Sequence, residues 1–266
     1  MKQFLKTELF LLSIVLISMF GSAGVYAEQA TMTPEQVAVL MKDMDVKTKF
    51  EGDYKAVALT HSVNREKGEN IQQIAIYRRD ADERLMLLFL KPKSDAGKGY
   101  LMIDKNFFSY EPSTGGWTRV SDERIGGSAL NRANFDGFSF SENYNGEFVA
   151  YEKLGKYDVI HLKLTDKDSN DSSGDNVILL WIETESHTVL KQQDYALSGR
   201  LLRTTYRTNY KQFSDGKGNS QFVPMKSVVV DEVEKGNQTT MVLEQIDVEP
   251  LPENIFTKAW LESKSR

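Results

Sequence analysis

The sequence has no cysteine and only three histidines among its 266 residues. Without cysteine, the fold has no disulfide, and thiol catalysis and thiolate-bound zinc are excluded. His61, His161 and His187 lie far apart in the chain, with no histidine–carboxylate spacing typical of a metal site. They are interpreted as half-exposed strand residues, and neither a metal nor another cofactor is predicted.

Basic residues are fewer than acidic ones: 33 lysines and arginines stand against 38 aspartates and glutamates, a net charge of −5. The basic residues form no stripe, so nucleic acid is not a predicted partner. Carboxylates are plentiful, but their spacing singles out no acid–base pair. We therefore predict that the protein is not an enzyme.

A long hydrophobic run occurs at the start of the chain. Lys2 and Lys6 precede an apolar stretch at residues 9–20, and Ala27 supplies a small residue at the −1 position of a cleavage site. This pattern is typical of a secretory signal peptide covering residues 1–27. An uncleaved anchor is the alternative, but the apolar stretch is shorter than the roughly 20 residues that span a bilayer.

Cleavage before Glu28 leaves residues 28–266, a length that fits a single domain. A lipid anchor requires a cysteine directly after the signal, and the residue at that position is glutamate. The mature protein is therefore expected to be free in the periplasm.

A helix start is visible near the beginning of this domain. Thr33 and Gln36 match a capping box, and Pro34 suits the first helical position. Apolar residues follow at helical spacing and predict a helix over residues 33–45 with one apolar face. A second helical piece is predicted at 253–263.

The rest of the chain shows a period of two, with turn residues between the segments. Because no long helix intervenes, this pattern predicts one antiparallel meander that curls around the two helical pieces on its concave side. Residues 126–140 interrupt the meander and are the predicted lid. The candidate strands are 50–63, 71–78, 84–90, 99–104, 107–111, 147–154, 157–165, 177–184, 188–197, 201–213, 221–232 and 239–248.

Residues 85–90 differ from the other strands because both of their faces are apolar. Leu85, Leu87 and Phe89 share one face, whereas Met86 and Leu88 share the other with residue 90. Both faces of this strand therefore need cover from other parts of the protein or from a ligand.

Two motifs resemble functional sites incompletely. Residues 166–171 read DKDSND, like the start of a calcium loop, but Asp171 replaces the required glycine and Val177 the final glutamate. A solvated hairpin loop is the favoured interpretation. Residues 126–130, GGSAL, lack the last glycine of a nucleophile elbow, so Ser128 is not predicted to be a nucleophile.

Methionines are concentrated near the helix and the doubly apolar segments, at Met32, Met41, Met44, Met86 and Met102. Flexible thioether side chains suit surfaces that repack around varied apolar partners. Simple filling of the core is the alternative explanation.

The order of short motifs resembles a known family, the periplasmic outer-membrane lipoprotein-sorting carriers of the LolA/LolB-like superfamily, and within it the secreted lipoprotein-sorting branch. The resemblance covers nearly all of the mature chain. The motifs are LKPK at 90–93, GKGYL at 97–101, FFSYEP at 107–112, IGGS at 125–128, NFD at 134–136, LWIE at 180–183, YALSGRLL at 195–202, FVP at 222–224 and LPENIFT at 251–257.

The resemblance implies an α+β, mainly antiparallel β fold: an unclosed half-barrel of about 11–12 strands with helices plugging its concave face. It also implies a carrier or chaperone that binds acyl chains of lipoproteins or lipids and passes them towards the outer membrane. The implied partners are those acyl chains, an inner-membrane transporter, and a membrane or acceptor contacted transiently by a monomer. An envelope sensor or regulatory binding domain on the same fold is the alternative.

The residues predicted to line the hydrophobic cavity come mostly from segments that are apolar on both faces. The resemblance also implies a gating basic residue near the end of a strand before the proline-bearing segment, where Arg78 and Arg79 stand. The predicted cavity residues are Met41, Met44, Met86, Leu88, Leu90, Leu101, Ile103, Phe108, Tyr110, Trp117 and Trp181.

Overall fold

The structure, a computed structural model, describes residues 31–49, 52–103, 106–120, 125, 128–130, 139–167, 177–214 and 220–265. Within these residues, no helix is long and apolar enough to cross a membrane. The elements are α1 (Pro34–Thr48), β1 (Asp53–Asn64), β2 (Gly68–Arg79), β3 (Arg84–Lys91), β4 (Gly99–Ile103), β5 (Asn106–Glu111), β6 (Gly116–Val120), α2 (Phe140–Asn143), β7 (Tyr144–Leu154), β8 (Tyr157–Asp166), β9 (Val177–Glu183), β10 (Val189–Tyr195), β11 (Leu201–Ser214), β12 (Ser220–Asp231), β13 (Gln238–Asp247) and α3 (Lys258–Lys264).

All thirteen strands form one antiparallel sheet in the order β6-β5-β4-β3-β2-β1-β13-β12-β11-β10-β9-β8-β7. Consecutive strands pair within β1–β6 and within β7–β13, and the two halves join at the seam where β1 pairs with β13. In this order, β6 and β7 stand at the two ends of the sheet, which is therefore not closed into a barrel. The predicted open, mainly antiparallel half-barrel is confirmed.

The sheet has one strand more than the twelve candidate segments. The additional strand is β6, which pairs with β5 after a turn. Its two large apolar residues, Trp117 and Val120, lie on opposite faces, so the sequence GWTRV shows no alternating pattern.

Helix α1 identifies the concave face of the sheet. It begins as predicted, with Thr33 Oγ1 accepting from Gln36 N at 3.3 Å and Gln36 Oε1 accepting from Thr33 N at 2.8 Å. Pro34 occupies the first turn. The helix contacts both β7 and β12, which lie five strands apart in the sheet. The sheet must curl around α1 to make both contacts, so the α1 side is concave.

The concave face carries two buried apolar clusters. The N-terminal concave cluster contains side chains of β1–β6, β12 and β13, together with Ile125, Ala129 and Leu130. The C-terminal concave cluster contains Val37, Leu40, Met41, Met44, Phe140, Tyr144, Ile160, Leu162, Leu164, Ile178, Leu180, Ile182 and Val189. Register places both clusters on one face, because Leu180, Gln192, Thr205 and Val229 lie opposite one another across β9–β12.

The C-terminal segment covers the convex face, although both helical pieces were expected on the concave side. Leu261 of α3 packs beside Gly99, where a Cβ atom would stand 2.8 Å from a Leu261 methyl carbon. The convex cluster contains Ala75, Met86, Leu88, Leu101, Tyr110, Ile255, Phe256 and Leu261, with Tyr77, Ile103, Trp117, Leu251 and Trp260 partly buried against it. The second apolar face of β3 is thus covered by the chain's own C-terminal segment.

Part of the predicted lid packs on the concave face. Ala129 N donates to Thr239 Oγ1 at 2.8 Å, and Leu130 is buried in the N-terminal concave cluster. Residues 126–127 and 131–138 of the lid lie outside the described residues, as do residues 168–171 of the calcium-like sequence.

Candidate functional site

Most of the predicted cavity residues lie on the convex face. Register and the cluster contacts place Met86, Leu88, Leu101, Ile103, Tyr110 and Trp117 together there, under the C-terminal segment. Phe108 shares this face and has Lys258 Nζ 4.4 Å from its ring centroid. Leu90 lies at an irregularity in the β2–β3 pairing and is 39% exposed. This surface is a contact between the sheet and the C-terminal segment.

Trp181 also lies on the convex face but in another region. Its ring stacks on His161 with the centroids 4.4 Å apart, and Lys191 Nζ lies 3.8 Å from its centroid. Glu152 accepts from Trp181 Nε1 and lies 3.1 Å from His161 Nδ1. Burial, helped by the charge of Lys191, holds the pKa of His161 below its ordinary value against the opposing charge of Glu152. Trp181 is thus separated from the other predicted residues.

Met41 and Met44 lie on the concave side, as parts of α1. Both are fully buried in the C-terminal concave cluster, against β8 and β9. Gly146 of β7 allows this close approach, because a Cβ there would fall inside contact distance of the Met41 sulfur and 2.8 Å from Val37 Cγ1. The helix therefore occupies apolar surface of the concave face.

Hydrogen bonds at its C-terminal half also hold α1 in place. The buried Asp45 carboxylate accepts from Ser139 Oγ, Phe140 N and Ser141 N at 2.7–2.9 Å. Lys47 Nζ donates to Ser186 O at 3.0 Å. These bonds connect α1 to the start of α2 and to the β9–β10 turn.

The two predicted gating arginines lie on opposite faces. Arg78 points to the concave side, where its guanidinium bonds Asp80 and donates to Tyr54 OH at 3.0 Å. Burial disfavours its charge, but the charge of Asp80 together with the hydrogen bonds to Asp80 and Tyr54 outweighs this effect and raises the pKa of Arg78. This side chain has a fixed, charge-compensated position at one end of the N-terminal concave cluster.

Arg79 fastens the C-terminal segment to the convex face. It makes two 2.8 Å bonds to Asp53, donates to Leu251 O at 2.7 Å and bonds Glu253. Its guanidinium carbon lies 5.2 Å from the Phe256 ring centroid. Arg79 therefore anchors the C-terminal segment to the sheet.

A polar band crosses the concave face between the two apolar clusters, and sequence reasoning missed it. Its members are Thr60, Ser62, Gln192, Asp194, Thr205, Arg207, Ser227 and Thr239. All but Gln192 and Arg207 are buried. The alternation of Arg203, Thr205 and Arg207 in β11 was the available signal, because these positions share a face with apolar residues of neighbouring strands.

Two cavities open beside residues of β1–β5 and β13. One of about 270 Å³ is lined by residues that include Asp95, Lys98 and Glu111, and one of about 470 Å³ by residues that include Lys91, Lys93 and Glu244. Charged side chains line both cavities, whereas the two clusters of the concave face are apolar. Across the described residues, no group of histidine and carboxylate side chains is arranged to hold a metal ion.

Comparison with solved structures gives matches to this fold, among them these three. A domain of an outer membrane lipoprotein-sorting protein from Vibrio parahaemolyticus has a TM-score of 0.75 at 20% identity, covering 86% of this chain and 100% of that one. A LolA superfamily protein from Nitrosomonas europaea has a TM-score of 0.70 at 19% identity, and the match covers 84% of this chain and 98% of that one. A DUF1329 family protein from Desulfovibrio piger has a TM-score of 0.74 at 18% identity, and the match covers 86% of this chain and 100% of that one.

A sequence family model with the description "-like: Uncharacterized protein" matches residues 81–263. Comparison with curated proteins gave no match. At the identities observed, the structural matches establish a shared fold, and the sequence match covers more than half of the chain.

Proposed function

Because the chain belongs to the family matched over residues 81–263 and has the LolA superfamily fold, we propose that it is a periplasmic carrier of acyl chains. It would bind lipids or lipoproteins on its concave face and pass them towards the outer membrane. We propose that it has no enzymatic activity. An inner-membrane transporter would supply the cargo to the monomeric carrier, and a membrane or acceptor would receive it in a transient contact.

The observation that carries this proposal is the apolar concave surface beneath α1. Leu40, Met41 and Met44 cover Leu162 and Leu180, which belong to an open sheet. A separate helix that covers an apolar surface can exchange places with another apolar group. An acyl chain of about 14 carbons that left water for this surface would gain on the order of 10 kcal/mol.

Exchange with α1 would also make binding reversible. Displacing the helix costs its own apolar contacts and the bonds of Asp45 and Lys47, so only part of the acyl-chain burial energy would appear as affinity. A carrier needs such a limit, because cargo bound at the full burial energy would not be released. Direction of transfer would then depend on the relative affinities of donor and acceptor.

Mass spectrometry of the protein purified gently from the periplasm tests the proposal. We expect a mature mass that starts at Glu28, together with stoichiometric lipid or acylated peptide that an unrelated periplasmic protein does not retain. Delipidated protein should then bind hexadecanol. A protein that carries no lipid and fails to bind added acyl chains would overturn the carrier proposal and favour an envelope sensor.

A further inference from the structure

The centre of the polar band holds two buried polar atoms without a partner among the described residues. They are Thr205 Oγ1 and Arg207 Nη1, both of β11. Thr205 and Arg207 are two residues apart on one face of the strand, so their Cα atoms are roughly 7 Å apart. Buried polar groups in native proteins are nearly always hydrogen-bonded, and each exception calls for an explanation.

The positive charge of Arg207 is also uncompensated within the described part of the chain. Its Nη2 donates to the neutral amide oxygen of Gln192 at 2.9 Å. Tyr210 is nearby, but desolvation raises the pKa of its phenol to about 12 against the opposing charge of Arg207, so Tyr210 is neutral at pH 7. By contrast, Arg203 has the Asp194 carboxylate 3.4 Å away.

The position of this pair between the apolar clusters matters for an elongated ligand. Val229, directly opposite Thr205, belongs to the N-terminal concave cluster. On the other side, Gln192 separates Thr205 from Leu180 of the C-terminal concave cluster. Neighbouring strands are about 4.8 Å apart, so apolar surface begins roughly 5–10 Å from Thr205 in both directions.

We propose that Arg207 and Thr205 bind the anionic head group of an amphiphile whose chain lies along the concave apolar clusters. An oxygen of a carboxylate or phosphate would accept from Arg207 Nη1, and the Thr205 hydroxyl would donate to the same group. This inference rests on the proposed carrier function and narrows its cargo to anionic lipids. The carbonyl oxygens of a neutral acylated peptide could accept from both polar atoms but would leave the charge of Arg207 uncompensated.

Displacement of an apolar fluorescent probe by ligands with the same 16-carbon chain tests the head-group inference. Palmitate and hexadecyl phosphate supply the two anionic head groups, and hexadecanol supplies a neutral one. We expect the wild-type protein to bind at least one anionic ligand roughly ten- to a hundredfold more tightly than hexadecanol. The preferred anion identifies the head group as a carboxylate or a phosphate.

The Arg207→Gln variant should bind the anionic ligand and hexadecanol with nearly equal affinity. Its affinity for hexadecanol should equal that of the wild type. Lys226→Gln is the matched control, because it removes one exposed positive charge from the convex face of the adjacent strand β12. If Arg207→Gln does not fold, Arg207→Lys and Thr205→Val replace it. Arg207→Lys should keep part of the preference, and Thr205→Val should reduce it.

Three outcomes separate this inference from the proposed function. Wild-type protein that binds hexadecanol and both anions equally would overturn the head-group inference but leave the carrier function intact. A preference that survives in Arg207→Gln and in Thr205→Val would also overturn it. Failure to bind any of the three ligands would instead overturn the carrier function.

Discussion

Gly146 of the edge strand β7 lies directly beneath Met41 of α1, with no room for a side chain between them. A methyl group added at this position would overlap the Met41 sulfur. We predict that Gly146→Ala loosens α1 and costs about 1–3 kcal/mol of unfolding free energy, the usual range for overpacking. Hydrogen exchange of residues 34–48 should quicken, and the affinity for an acyl chain should rise, because displacing the loosened helix costs less free energy.

Gly99→Ala provides a matched control on the other face of the sheet. Its methyl group would crowd Leu261 of α3 and the backbone of β3. Hydrogen exchange should then quicken in α3 and not in α1, with the affinity for an acyl chain unchanged. Equal effects of the two variants on this affinity would contradict a specific role of α1 as the cover of the site.

Asp45 should contribute more to stability than a typical helix carboxylate, because three donors depend on it. Asp45→Ala leaves Ser139 Oγ, Phe140 N and Ser141 N without this acceptor. We expect a loss of about 2–4 kcal/mol in urea unfolding. Asp43→Ala, which removes a partly exposed partner of Lys47, should cost less than about 1 kcal/mol. If Asp45→Ala also cost less than about 1 kcal/mol, water would be replacing the hydrogen bonds of the Asp45 carboxylate.

Acid should weaken the anchor of the C-terminal segment. Burial alone would raise the pKa of Asp53, but its hydrogen bonds with Arg79 and Leu251 N outweigh burial and hold it below the ordinary value. A carboxyl with a lowered folded-state pKa stabilises the fold above its unfolded pKa, about 3.9, and this stabilisation is lost as pH falls through the folded value.

Urea unfolding of the wild type and Asp53→Asn between pH 3 and pH 7 measures this effect. The wild type should be more stable near neutral pH, and the difference should shrink below about pH 4. The emission of Trp260 and Trp117, which lie in the convex cluster, should report release of the segment. A difference that stays constant with pH would exclude the Asp53 carboxylate as the cause.

Thr205→Val should increase stability even though it removes a polar group from the polar band. Valine has nearly the shape of threonine and removes a buried hydroxyl that has no partner among the described residues. We expect a gain of about 1 kcal/mol and a Tm higher by about 2–4 °C. Thr205→Ser, which keeps the hydroxyl, should show no gain. Destabilisation by Thr205→Val would indicate that the hydroxyl already has a structural partner.

Much of the fold could be predicted from the sequence, because local rules determine it. Alternating side chains defined most of the strands, a doubly apolar run defined β3, and Thr33, Pro34 and Gln36 defined the start of α1. The face occupied by α3 could not be predicted in the same way. Strand β3 is apolar on both sides, so its pattern does not show which face receives the helix.

The same ambiguity affected the candidate site. Choosing doubly apolar segments selected Met86, Leu88 and Leu101, which face the C-terminal segment, whereas Leu87 and Phe89 one position away face the concave side. A shift of one residue reverses the face of every side chain in a strand. The polar band required knowledge of strand order, because its members come from β1, β10, β11, β12 and β13 and meet only in the assembled sheet.

The single non-sequential pairing in the sheet has a consequence for how the protein folds. Eleven of the twelve strand pairings join strands that are neighbours in sequence, but the β1–β13 seam joins residues such as Lys55 and Asp247. Closing a loop of about 190 residues costs roughly 3 kcal/mol more entropy than closing a hairpin loop of about five. We therefore expect two meanders, β1–β6 and β7–β13, to form early, and the rate of their joining at the seam to limit folding.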